Sequence, residues 1–447
     1  MDWWSKISEM AAQVGNALGT GNLIYLDYNT TCPVEPEVRD AMVKAMKNLW
    51  HNPGSLHEGG LASKAAIEEA RGKVAKMINA FPEGETAFSS PFRTVRPYQS
   101  DLEITFTSGG TEANNMVIHS AMQAYHQFKT TRRVKTLFED AVKKLPNVPH
   151  IITTNVEHES IAAHLNFLES KKLCEVTKVQ VEKMHGAVSE FEVVNAIRPN
   201  TCLITIIMAN NETGVMQPVE EAARLLKDQN AKRAEQMLPL VRFHTDASQV
   251  IGKEVVNVRE GEGFDFLTIA GHKFYGPRNG ALFVRRGVPI LPMMFGSGQE
   301  KGIRPGAENT PMIVGLGKAA EIVTEKLKDH KMHLKGMRNM LETMLIESLG
   351  SDVVVNFNKM KRLPNTSSIT FKCLPGTAAE MLSKCKRLAT GAGAVGDQNP
   401  KRVLLACGIP KESVLLSVRF SVGRTTSNTE IQEAVKKICS LIPPQKK

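Results

Sequence analysis

Five short apolar runs, each stopping at a polar motif, constrain this chain more than any other feature. They occupy residues 104–107, 150–154, 203–208, 241–244 and 266–270, with helical stretches between them. Strands alternating with helices predict a mainly parallel α/β sheet. Ligands of such open sheets bind outside the carboxyl ends of the strands, so the five polar ends are where chemistry is to be sought.

The fifth run leads into Gly271-His272-Lys273. Tyr275-Gly276-Pro277 then turns the chain, and Ala281 to Val284 leads back, giving strand, tight loop, strand. Lys273 is a candidate Schiff-base former there, because desolvation and nearby cations lower an amine's pKa. A solvated strand-end lysine has the same signature. The motif running from Thr107 to Glu112 joins a strand to a helix. Its small residues make either a phosphate cradle at Gly110 and Thr111 or a glycine turn with a threonine N-cap. Asp246 ends an apolar strand and needs a partner. It serves either a cationic ligand such as a pyridinium nitrogen or a helix N-terminus. His158 follows another strand end, placed to stack on a flat cofactor, relay a proton or play a structural part. Asn211, after the run at 203–208, offers a neutral donor and acceptor.

The remaining pattern predicts a strand at 24–27, helices at 35–49 and 61–78, an irregular surface insertion at 81–100 and a basic helix within 127–147. A break near Gly315 is followed by helix to Leu349, strands at 353–355 and 367–371, a helix at 378–384, a strand at 416–421 and a final helix at 428–441. This suggests a smaller α+β domain at 315–447 behind a large domain at 23–314. Residues 1–22 read as an amphipathic helix or extension, with Trp3, Trp4, Ile7, Met10, Ala11, Val14 and Leu18 on one face.

The 447 residues carry a net charge of +10, but the basic residues are dispersed without interleaved aromatics, which argues against a nucleic-acid partner. The seven cysteines form no CxxC pair, so no metal site or disulfide framework is indicated and a reducing, cytosolic compartment is expected. No apolar run approaches a membrane span.

Taken together, IYLDYNTTCPVEPEV, ITFTSGGTEANN, VEHES, MANNETGVMQPV, HTDASQVIGK, DFLTIAGHKFYGPRNGAL, GSGQEKGIRPGAENTPM and VRFSVGRTTSNTEI resemble the pyridoxal-phosphate cysteine desulfurases and, more closely, the selenocysteine lyases. They occur in the family's order over nearly the whole chain. The resemblance implies fold-type-I architecture, with a seven-stranded-type large-domain sheet, and pyridoxal 5'-phosphate as cofactor. It implies that Lys273 forms the Schiff base and shuttles the α-proton, Asp246 holds the pyridine nitrogen and Gln249 the ring hydroxyl. His158 would stack on the ring, Gly110, Thr111 and His272 would hold phosphate, and Asn211 and Arg419 would receive the substrate carboxylate. It also implies a homodimer in which the loop at 296–309 completes the neighbour's site, and a selenium acceptor protein.

Two departures stand out. The family's loop GAACxSDHGDQPSPVL carries a cysteine that attacks or protonates the leaving chalcogen. Here residues 390–400 read TGAGAVGDQNP, shorter and without cysteine, with Cys385 before and Cys407 after. The family's RPGTENT reads RPGAENT, so Ala307 replaces a hydroxyl. The expected activity is decomposition of selenocysteine to alanine and reduced selenium. The alternatives are a cysteine desulfurase, another pyridoxal-phosphate lyase or transaminase, and a degenerate homologue kept as a scaffold.

Overall fold

The computed structural model describes residues 23–80, 103–131, 145–259, 263–372, 374, 376–385, 387–391 and 402–442. The expected N-terminal helix, the insertion at 81–100, the middle of the basic segment and residues 392–400 of the cysteine-free loop lie outside the described residues.

The chain runs β1 (Ile24–Leu26), α1 (Pro36–Asn48), α2 (Glu58–Met77), β2 (Ile104–Thr107), α3 (Gly110–Thr130), β3 (His150–Thr154), α4 (Glu159–Ser170), β4 (Glu175–Val179), α5 (Glu190–Asn195), β5 (Thr201–Ile207), α6 (Val219–Glu235), β6 (Arg242–Asp246), β7 (Phe266–Ala270), β8 (Gly280–Val284) and α7 (Thr310–Leu349). Beyond these come β9 (Val353–Asn356), β10 (Thr366–Phe371), α8 (Ala378–Lys384), β11 (Leu388–Thr390), α9 (Arg402–Ala406), α10 (Lys411–Leu415), β12 (Ser417–Ser421) and α11 (Asn428–Ser440).

Seven strands form the central sheet in the order β2-β8-β7-β6-β5-β3-β4. The pairs from β7 to β4 are parallel, and β8 runs against both its neighbours. The expected mainly parallel sheet is therefore present. Apart from Arg242 at the start of β6, its inner strands are buried along their length, all seven residues of β5 included, because helices cover both faces. Ile204, Phe243, Leu267 and Ile269 face α2, α6 and the start of α7. Leu203, Phe266 and Leu282 face α3 and α4. Sequence reading missed β4. This edge strand, EVTKV, has only its last residue fully buried and so lacks the continuous apolar run that marked the others.

A second sheet, β12-β10-β9, is antiparallel and packs with the end of α7 and with α11. Ile24 and Leu26 of β1 join this second cluster, and β1 pairs in parallel with β11. Gly315, where a break was expected, lies inside the continuous helix α7, whose 40 residues link the two cores. Its early residues, such as Leu316, Ala320 and Val323, pack on the first, and Leu334, Leu341 and Leu345 on the second. Among the described residues no helix is long and apolar enough to cross a membrane.

Candidate active site

The carboxyl ends of the parallel strands gather the polar motifs. After β7 the chain makes one 3-10 turn, Gly271–Lys273. Lys273 is thereby aimed back at the loop after β1, where its Nζ donates to the carbonyl oxygens of Asn29 at 2.8 Å and Thr30 at 2.9 Å. Burial, followed by the charge of Arg419, pushes the Lys273 amine down to about 8. Neutral amine is therefore accessible near physiological pH. Beside it, burial above all, with the Lys273 charge next, holds His272 at about 4, so its imidazole is neutral.

Asp246 closes β6 and is buried. Its Oδ1 accepts from the backbone N–H of Ser248 at 3.0 Å, and its Oδ2 accepts from Asn114 Nδ2 at 2.8 Å. Both sequence alternatives thus have a footing: one oxygen caps a turn, while the carboxylate as a whole has no cationic partner among the described residues. A buried carboxylate without a counter-ion fits a ring nitrogen that becomes cationic when protonated. Gln249, one turn on, is buried and donates from Nε2 to the Asn29 carbonyl at 3.0 Å.

Helix α3 starts at Gly110 with Gly109 as N-cap and no side-chain cap. The threonine N-cap, one of the two alternatives for this motif, is therefore not formed: Thr111 lies within the helix and is exposed. The first N–H groups of α3 are left for an anion. A Cβ on Gly110 would come within 3.2 Å of Ser248 Oγ and 3.4 Å of Ala270 Cβ, so the small residue lets the helix approach the ends of β6 and β7. These observations fit pyridoxal phosphate: an uncapped helix N-terminus for its phosphate, a lone carboxylate for its nitrogen and an amine for its aldehyde.

His158 is the N-cap of α4, its Nδ1 accepting from the Ser160 N–H at 3.1 Å. That contact places the ring proton on Nε2. The imidazole is exposed, which leaves a face available for stacking.

Arg419, on β12, is buried. Its Nη2 donates to Asp27 Oδ1 at 2.6 Å and Thr30 Oγ1 at 2.8 Å, and its Nη1 to the Asn211 carbonyl at 3.2 Å and Glu212 Oε1 at 3.1 Å. Burial works against its charge, but Glu212 and Asp27 prevail and raise its pKa. Its Nε is buried and has no hydrogen-bond partner among the described residues. The Asn211 side chain turns to Glu212 Oε1, at 3.1 Å. Arg419 and Lys273 thus meet at Thr30, one on its hydroxyl and the other on its carbonyl.

Sequence reading missed the residue on which the site converges. Asn29 is 1% exposed. Its carbonyl receives Lys273 and Gln249, its Nδ2 donates to the Asn211 carbonyl and Thr366 Oγ1, and its Oδ1 receives Asn365. Asn114 was missed too, although its place one turn after Gly110 puts it on the same helix face.

Cys385 and Cys407 are buried, and burial raises both thiols, Cys407 to about 12. Cys32 is also buried with a raised thiol, and its Sγ contacts the carbonyls of Tyr28 and Lys273.

The chain belongs to the aminotransferase class-V family, whose model matches residues 24–91 and 93–433. It is a pyridoxal-phosphate-dependent lyase of fold type I. Among curated relatives it is 42% identical to the selenocysteine lyase of Rattus norvegicus, over 92% of this chain and 93% of that one. It is 33% identical to the cysteine desulfurase IscS of Methanosarcina thermophila, over 96% and 94%. A solved NifS-like protein superposes with TM-score 0.75 at 28% identity, covering 94% of this chain and 99% of that one. The NifS-like protein from Rickettsia africae gives TM-score 0.73 at 27% identity, with the same coverage.

Proposed function

We propose that the chain is a selenocysteine lyase-like enzyme that splits L-selenocysteine into L-alanine and reduced selenium. The observation that carries this reading is the Lys273 amine, held by two carbonyls with no counter-ion among the described residues, meeting a buried arginine at Thr30. The degree of likeness to selenocysteine lyases supports the choice of substrate.

Bound in this site, pyridoxal phosphate supplies an electron sink for the substrate's α-carbon. Gly110, Thr111 and His272 hold its phosphate, Asp246 its ring nitrogen, Gln249 its ring hydroxyl and His158 one ring face. Lys273 anchors the cofactor and moves the α-proton, for which an amine of pKa about 8 is suited. Asn211 and Arg419 receive the substrate carboxylate, and Arg419 Nε supplies a donor that no group among the described residues uses. The protein acts as a cytosolic homodimer, the loop at 296–309 serving the neighbour's site, and hands selenium to an acceptor protein.

The sequence at 390–400 has no cysteine, and the raised, buried thiols of Cys385 and Cys407 do not suit them to replace it. A cysteine substrate needs such help, since its thiol is mostly protonated near neutrality. A selenol is more acidic and its carbon bond weaker, so selenide leaves with less. Selenocysteine should therefore be turned over, and cysteine almost not at all. The test assays both substrates with wild type, Cys385→Ser and Cys407→Ser. Sulfur release from cysteine that either mutant loses would show a relocated nucleophile. A cofactor-loaded protein that leaves selenocysteine untouched would be a scaffold homologue.

A further inference from the structure

Behind Gln249 lies a lysine that the proposed chemistry does not use. Lys253 is 4% exposed. The helical turn after Asp246, in which Val250 and Ile251 N–H groups both bond to the Ala247 carbonyl, brings it one turn beyond Gln249. Its Nζ donates to the Gln249 carbonyl at 2.9 Å and to Gln249 Oε1 at 3.1 Å. No carboxylate pairs with it among the described residues. Burying an amine without a counter-ion is costly, and burial holds Lys253 down to about 7. The feature calls for a reason.

The reason lies in the asymmetry of the amide. A glutamine presents a donor at one end and an acceptor at the other, and either end can face a ligand. Lys253 Nζ donates, and so claims the Gln249 oxygen. The Nε2 end is then left facing the Asn29 carbonyl, which also receives Lys273 Nζ. We infer that Lys253 is a positioning residue that fixes the Gln249 amide with its N–H groups toward the cofactor's ring oxygen. A flipped amide would bring a carbonyl oxygen against that oxygen instead. The inference rests on the proposed role of Gln249 and adds the residue that sets its orientation.

The test measures the pyridoxal-phosphate dissociation constant and the pH midpoint of the visible absorption band on the full chain, with thermal melting as a control. Lys253→Met should weaken cofactor binding about tenfold, the worth of one hydrogen bond to a charged group, and should shift the midpoint. Lys253→Gln retains an N–H donor for Gln249 Oε1 and should stay within about threefold of wild type. Gln249→Leu should bind as poorly as Lys253→Met, and the double variant no worse than Gln249→Leu, because Lys253 acts only through Gln249. Affinity in Lys253→Met equal to wild type, or additive losses in the double variant, would overturn the proposal. Should Lys253→Met not fold, Gln249→Glu decides: it keeps a partner for Lys253 but presents only oxygens to the ring, so undiminished affinity would refute the donor assignment. A wild-type protein that binds no cofactor would sink the reading of the site itself, a result distinct from any of these.

Discussion

A lysine with pKa about 8 differs from an ordinary one in how much neutral amine it offers. At pH 7 the gain is about two hundredfold over an unperturbed side chain. The sign follows directly: protonated amine is unreactive, so the rate of cofactor attachment should rise with pH and level off above about 8. Stopped-flow loading of cofactor-free protein checks this, and borohydride followed by mass spectrometry should find the label on Lys273. Loading independent of pH between 6 and 9, or a label elsewhere, would remove Lys273 from its role. Arg419 makes a second prediction. Arg419→Ala should raise the KM for the amino acid strongly while leaving the visible spectrum intact. The two carboxylates it leaves behind, Asp27 and Glu212, should also destabilise the fold by roughly 3–5 kcal/mol. An unchanged KM would place the substrate carboxylate elsewhere. At this scale the sequence was legible in position: Asp246 closes β6 and Lys273 follows β7, at the polar ends of two apolar runs. It was mute about Asn29, because its partners Asn211, Gln249, Lys273, Asn365 and Thr366 all lie more than 180 residues away and no local pattern announces a hub.

Elements were legible in proportion to their burial. Strands β2, β3 and β7 fall on their expected residues, whereas the edge strand β4 carried no apolar signal. The start of α3 shows a different limit: the pattern left a threonine cap and a phosphate cradle both open, and the helix begins at Gly110, with Gly109 as its cap and no side-chain cap. Close packing between helices was also invisible. A Cβ on Gly317 of α7 would stand 2.6 Å from Ala70 Cβ and 2.7 Å from its Cα, so α2 and α7 touch almost backbone to backbone. Gly317→Val should therefore cost about 1–3 kcal/mol by overpacking, read as a lower midpoint in urea. An unaltered midpoint would mean that the two helices can part freely.

For the whole molecule, the proposed homodimer turns on the loop at 296–309. Here Arg304 pairs with Glu112 at 2.9 Å and Glu300 with Arg71 at 2.8 Å, while Ala307 is exposed. Sedimentation should show a dimer. Ala307→Thr should tighten pyridoxal phosphate by about 1.5–3 kcal/mol at most, through a hydroxyl offered to the neighbour's phosphate. Unchanged or weaker affinity would count against that placement.

Helix α7 also decides where this chain can change length. Every residue from 324 to 333 is at least partly exposed, yet these ten residues join a stretch packed on one core to a stretch packed on the other. A helix turns by about 100° per residue. One residue inserted there would rotate Leu334, Leu341 and Leu345 off their core, however harmless the site looks from solvent. The exposed middle of α7 is thus a fixed gauge between two bodies, open to substitution but closed to insertion and deletion.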